Sequence, residues 1–259
     1  MDIRRILDQV ENLSLVMPEF QREYVWSLDD AKQLFVSLSK GYPTGSLLFW
    51  EANGENVPEI KNDATLKDKI GSTTVILDGQ QRITTLYLLI KGEIPPYYTR
   101  RDLLNDPRHL YFNLMTGEFQ YYLKSMMEGN PLWQRVISCF DVEKVDAIDI
   151  ANEYTEVHED VDFKKILRQI NNRLNSLRAI ANIDYPIQTV PTSALIDEAI
   201  DVFDRVNSQG TKLTDAELVL SHITGKWPHA RRSLKEKQKS LEEMGFTLDL
   251  DLLTRFIVI

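Results

Sequence analysis

The run Asp78-Gly79-Gln80-Gln81-Arg82 stands directly after the apolar stretch Val75-Ile76-Leu77 and directly before Ile83-Thr84-Thr85-Leu86. A buried strand that ends in Asp-Gly and a helix that opens on two amides and an arginine gather several polar groups at one turn. Gly79 allows a tight strand-to-helix reversal or the close approach of a ligand. Unpaired N–H groups at a helix start, reinforced by the helix dipole, suit an anion. Arg82 can fork onto phosphate oxygens, and Thr84 and Thr85 add hydroxyls within the first turn. Asp78 supplies the hard oxygen that magnesium prefers. A plain helix cap would account for Asp78 but would leave the two amides and the arginine without a purpose.

Two further clusters carry polar groups that packing does not explain. Pro18-Glu19-Phe20-Gln21-Arg22-Glu23-Tyr24-Val25-Trp26 mixes aromatics with polar residues in an irregular segment. Tyr24 or Trp26 could stack on a nucleobase while Gln21 and Arg22 meet ribose or phosphate. For Trp26 alone the preferred reading is an apolar staple packed on Ala31 at the start of the next helix. Phe203-Asp204-Arg205-Val206-Asn207-Ser208-Gln209-Gly210-Thr211-Lys212-Leu213 is the third cluster. Asn207 and Gly210 suit the left-handed positions of a helix-ending turn, which leaves Arg205 unaccounted for.

Several chemistries are not written in the chain. The G-x-x-x-x-G-K-[ST] phosphate loop and the G-x-G-x-x-G fingerprint are both missing. His109, His158, His222 and His229 show no metal-ligand spacing, so a zinc site is not expected. The lone cysteine, Cys139, reads as a small core residue, and a reducing, cytoplasmic setting is the simplest inference from it. The net charge of −9 argues against a surface built to coat DNA. No apolar run approaches the roughly 20 residues of a membrane span.

The elements that must position these clusters follow from periodicity. Ile3, Ile6, Leu7 and Val10 predict a helix to about Leu13, followed by a strand at 15–17. Ser27 with Asp30 predicts a capping box, and Ala31, Leu34, Phe35 and Leu38 the buried stripe of the helix behind it. Strands are expected at Ser46–Trp50 and Thr73–Leu77, the second buried on both faces, with a surface loop between them. A short helix over 83–90, a hairpin around Thr116-Gly117 and a mostly helical stretch over 131–181 come next. A strand at 184–190, a helix at 194–206, and a helix capped by Thr214 and Glu217 complete the pattern before a helical remainder. The apolar ending Phe256-Ile257-Val258-Ile259 reads as a fragment that expects a further region.

Taken together and in this order, the three clusters resemble the N-terminal ParB-like domain of the GmrSD-type, modification-dependent restriction endonuclease family. The resemblance spans Leu13 to about Ile223. It implies an α+β fold: a ParB/sulfiredoxin-like core over 1–225 with a large helical insertion at about 131–182, and a helical extension over 226–259. Gln80 stands where sulfiredoxins carry their catalytic cysteine, so that redox chemistry is excluded. The resemblance further implies a domain that binds, and hydrolyses with Mg2+, a nucleoside triphosphate, and that controls a nuclease. Asp78, Gln81 and Arg82 are then the candidate catalytic groups, with Asp78 also the metal ligand. Gln21, Arg22, Tyr24, Gly79, Gln80, Thr84, Arg205 and Asn207 are the candidate nucleotide contacts. The family's His-Asn-His nuclease region has no match here, so the expected partners are the triphosphate and a nuclease domain or subunit, with DNA met only weakly or indirectly. A nucleotide- or DNA-sensing module without turnover stays open beside this reading.

Overall fold

The computed structural model describes residues 1–53, 57–58, 60–61, 73–158, 160–207, 214–227 and 229–258. Helix α1 (Ile3–Glu11) buries the stripe Ile3, Ile6, Leu7 and Val10, and Asp2 caps it by accepting from the Arg5 amide at 2.8 Å. It stops two residues short of the expected end because Leu13 turns the chain at φ 60° into β1 (Leu15–Val16). Helix α2 (Leu28–Ser39) opens on the expected capping box. Ser27 Oγ accepts from the Asp30 amide at 3.1 Å, and Asp30 Oδ2 accepts from the Ser27 amide at 2.9 Å.

Strands β2 (Leu47–Ala52) and β3 (Thr73–Asp78) pair antiparallel, while β1 runs parallel to β3. Helix α3 (Gln80–Leu86) follows β3 and continues as a π-helical turn, Tyr87–Lys91, up to Gly92 at φ 76°. Strands β4 (Leu110–Asn113) and β5 (Phe119–Tyr121) form the expected hairpin. The stretch over 131–182 is mostly helical: α5 (Val136–Phe140), α6 (Ala147–Val157) and α7 (Phe163–Arg178), after the single turn α4 (Lys124–Met127). It also carries β6 (Trp133–Arg135), which periodicity did not suggest and which pairs with β4 into a three-stranded sheet. After α7 come β7 (Ile187–Val190), α8 (Ile196–Asn207), α9 (Asp215–Lys226), α10 (Ala230–Glu243) and α11 (Leu250–Val258). Among the described residues the fold is thus mixed helix and sheet, with two small sheets.

The four-stranded sheet, in the order β1-β3-β2-β7, positions the site. Its side chains alternate between two cores, as a period of two dictates. Leu47, Phe49 and Ile76 join the large core with α1, α2, α3 and α7. Leu48, Trp50, Val75 and Leu77 join Ala199, Ile200 and Phe203 of α8 on the other face. Each fully buried side chain of this size contributes about 1.5–3 kcal/mol, so β2 and β3 are the firmest platform on which to hang polar groups. A small third core joins Leu220 of α9, Ala230 and Leu234 of α10, and Leu253 of α11. The segment between Ala52 and Thr73, the turn after Asn207 and the Glu217 side chain lie largely outside the described residues. Cys139 is buried, as expected of a core residue, and burial pushes its thiol up to about 12. Among the described residues no helix is long and apolar enough to cross a membrane.

Candidate functional site

Asp78 leaves the end of β3 beside Gly79, whose φ of 93° belongs to the left-handed region. A Cβ at Gly79 would also run into the Leu47 side chain, so strain and packing both require glycine there. One helical turn later Arg82 folds back. Its Nη2 donates to Asp78 Oδ2 at 2.9 Å and its Nη1 to the Thr44 carbonyl at 2.7 Å. Gly45 lets the guanidinium lie close, since a Cβ there would stand 2.6 Å from Nη1. The Arg82 side chain keeps 15% of its surface exposed and Asp78 keeps 27%, so both remain open to a ligand.

The irregular segment 18–26 forms the facing wall. Its backbone has little regular pairing, and side chains supply the missing partners, as buried peptide groups require. Gln81 Oε1 accepts from the Val25 amide at 3.0 Å and the Trp26 amide at 3.2 Å, and its Nε2 donates to the Glu23 carbonyl at 2.9 Å. Gln21 Nε2 donates to the Leu77 carbonyl at 2.6 Å, and the Tyr98 hydroxyl to the Arg22 carbonyl at 2.8 Å. Phe20 meets Phe203 of α8 edge-on at 5.5 Å, which ties the third sequence cluster to the second.

Between floor and wall lies a cleft of ≈ 460 Å³. Asp78 to Arg82 line its floor, with Gln21, Arg22 and Trp26 on one side and Asp30, Gln33, Leu34, Ser37, Pro43 and Thr44 on the other. The α2 residues were not anticipated. Asp30, Gln33 and Ser37 fall on the polar face of an amphipathic helix, a pattern that in sequence reads as solvated surface.

The structure therefore brings Gln21, Arg22, Asp78, Gly79, Gln80, Gln81 and Arg82 to one cleft. Tyr24 and Thr84 are not part of it. Both are fully buried, Tyr24 bonded to Thr85 at 2.9 Å and Thr84 to Tyr97 at 3.1 Å, so they brace the floor from behind. Burial lifts the Tyr24 hydroxyl well above its ordinary range. Arg205 is exposed on α8 and does not line the cleft, although its neighbour Val206 does. Asn207 ends α8, and its side chain lies outside the described part. Gln81 reaches the cleft with both ends of its amide engaged by backbone, which makes it a clamp on the wall. Gln80 is 6% exposed, and its buried Oε1 has no hydrogen-bond partner among the described residues.

A second polar cluster, unforeseen in the sequence, sits around Glu23. Its carboxylate meets Lys61 at 3.6 Å, Arg231 of α10 at 2.9 Å, and Lys235 of α10. Burial alone would raise the Glu23 carboxyl, but Arg231, Lys61 and Lys235 outweigh it and hold the group far below the usual carboxylate range. Lys61 moves the other way. Its complete burial, with repulsion from Arg231 and Lys235, overcomes Glu23 and Glu19 and brings it down to about 8.

Among the described residues no three His, Cys, Asp or Glu side chains gather as a metal cluster. A magnesium ion carried on phosphates needs only one or two protein carboxylates, and Asp78 fits that requirement.

An uncharacterised protein of Methanocaldococcus jannaschii is 23% identical to the chain over 258 residues. The match covers 86% of this chain and 42% of that relative, so the chain spans about two fifths of the relative's length. The model of the GmrSD restriction endonuclease N-terminal domain matches residues 3–224, which include the whole cleft. The chain belongs to the GmrSD restriction endonuclease N-terminal domain family.

Proposed function

We propose that the cleft binds a nucleoside triphosphate and hydrolyses it with Mg2+. In this reading the domain is the regulatory part of a restriction or anti-phage defence system, with its core related to ParB. The observation that carries the reading is the placement of Arg82. A part-exposed guanidinium, oriented by Asp78 and the Thr44 carbonyl, faces a polar cleft that Arg22 also lines. A guanidinium fixed in this way loses little freedom on meeting phosphate. Arg82 and Arg22 hold the phosphate chain, Asp78 contacts the magnesium that the phosphates bring, and Trp26 offers a face to the base. The ion would supply charge neutralisation on the phosphate oxygens.

The substrate of the defence reaction, DNA, is met by a nuclease region or subunit other than this chain. Nucleotide occupancy controls it by favouring one arrangement of the two parts, which requires a difference in affinity between arrangements. Binding without turnover is the second reading. The commitment of the Gln81 amide to backbone favours it, because that amide is then not available to orient an attacking water, and the floor carboxylate Asp78 is paired with Arg82. Turnover of labelled triphosphate with magnesium separates the two. Release of labelled phosphate that disappears in Asp78→Asn supports hydrolysis. Saturable binding without release supports the sensor.

A further inference from the structure

We propose that Glu23 is a positioning residue that couples the wall of the cleft to helix α10, so that the shape of the cleft and the seating of α10 change together. The idea extends the nucleotide reading only in naming what the coupling serves. The coupling itself rests on contacts that need no ligand.

Four consecutive residues of the wall are anchored in different places. Gln21 reaches the end of β3, Arg22 lines the cleft, Glu23 reaches α10, and Tyr24 enters the core against Thr85. A peptide held this way cannot move at one residue without moving the next. Glu23 is the residue that touches both sides. Its carbonyl accepts from Gln81 on the floor helix, while its carboxylate receives Arg231 and Lys235, one turn apart on α10.

The bond to α10 is made by charge. The helix has no side-chain N-cap and no acidic residue in its first turn, so its N-terminal partial charge adds to that of Arg231, Lys235 and Lys61 around one carboxylate. It is also incompletely satisfied. Arg231 is 2% exposed, yet its Nε and Nη1 are buried without a hydrogen-bond partner among the described residues. A guanidinium with two nitrogens unpaired gains by moving towards water, and its Glu23 contact opposes that move. The closed clasp therefore competes with an open one. An anion that draws on Arg22 shifts the wall that carries Glu23, and with it the balance between the two. A polyphosphate ligand and the seating of α10 are linked in this way, and the linkage is reciprocal.

Hydrogen exchange on the whole chain, without ligand, tests the coupling. Lys235→Met should speed exchange several-fold in the peptide covering 18–27, and Gln81→Leu should do the same across 230–243. In Lys235→Met the peptides of β4, β5 and α7 should keep wild-type rates, and in Gln81→Leu the peptide 230–243 should speed up more than they do, which separates coupling from general loss of stability. Lys235→Arg should restore slow exchange at 18–27, a rescue that simple loss of packing would not show. If Lys235→Met alters α10 alone and leaves 18–27 unchanged, the coupling is wrong. ATP with magnesium supplies a second arm. It should slow exchange at 230–243 in the wild type, and equal exchange there at saturation contradicts the link to ligand. If none of ATP, GTP, CTP and UTP binds the wild type, the nucleotide reading fails while the ligand-free exchange still decides the coupling.

Discussion

Arg82 and Arg231 show how differently one side chain is used in the two polar regions. Arg82 is part-exposed, with a carboxylate and a carbonyl fixing its plane towards the cleft. Arg231 is almost completely buried, with one nitrogen on Glu23 and two without a hydrogen-bond partner among the described residues. The first arrangement leaves capacity for an incoming anion. The second holds structural elements together and leaves polar groups unsatisfied, which is where the fold is easiest to loosen. The cleft is therefore the place to look for binding, and the Glu23 cluster the place to look for control.

The sharpest break of this contrast is Glu23→Ala. It leaves Arg231 buried without its carboxylate and Lys61 with Glu19 alone, and losing one partner of a buried pair costs about 3–5 kcal/mol. Urea denaturation should show a loss of that order, and a loss below about 1 kcal/mol would mean the cluster is solvated. Gln81→Leu should follow. It keeps the volume but strands the Val25 and Trp26 amides and the Glu23 carbonyl, each worth about 1–3 kcal/mol when buried. All three bonds are part-buried, so denaturation should show a loss near the low end of their sum, about 3 kcal/mol, whereas a neutral substitution would remove Gln81 as the clamp.

A smaller effect is expected from Trp26→Ala. Base stacking on an aromatic is worth about 1–3 kcal/mol, so calorimetry should find nucleoside triphosphates weakened while inorganic tripolyphosphate binds as before. Equal weakening of both would place Trp26 at the phosphate end.

A further effect concerns pH. Lys61 faces Glu23, Glu19, Arg231, Lys235 and the Tyr98 ring, and sits at about 8 in the folded chain against roughly 10.4 for an unperturbed lysine. Between these values the unfolded chain binds more protons, so Lys61 makes stability rise with pH across this window. Below about 8 its burial as a cation is a standing cost. Lys61→Met should flatten the stability profile between about 8 and 10, as read by denaturation at several pH values. An unchanged slope would show that Lys61 is not the titrating group.

Much of the cleft floor was legible because it is contiguous: a buried strand, a glycine and a polar helix start need no knowledge of distant contacts. The Ser27–Asp30 capping box and the two-faced burial of β3 were legible for the same reason. The α2 wall was not, since a polar helix face looks alike whether it meets water or a cleft. Tyr24 and Thr84 were expected at the cleft and lie behind its floor, because a hydroxyl beside polar residues can equally turn inward to a partner, as both do here. The three-residue strand β6 is too short to show a period. The Glu23 cluster was invisible because Arg231 lies 208 positions away along the chain. Arg205 drew attention as a charge without a packing role, and the turn of α8 put Val206 into the cleft in its place.

The central claim is that Arg82 receives phosphate in this cleft, and calorimetric titration of each nucleoside triphosphate with magnesium tests it most directly. The wild-type chain should bind at least one of them. Arg82→Ala should weaken that binding by about 10- to 100-fold, the range of one charge-assisted hydrogen-bonding group at about 1.5–3 kcal/mol. Because Arg82 also holds the Thr44 carbonyl, the variant should lose about 1 kcal/mol of stability but remain folded. Arg82→Lys should recover part of the affinity through charge without the fork. Undiminished affinity for every triphosphate in a folded Arg82→Ala chain would contradict the account.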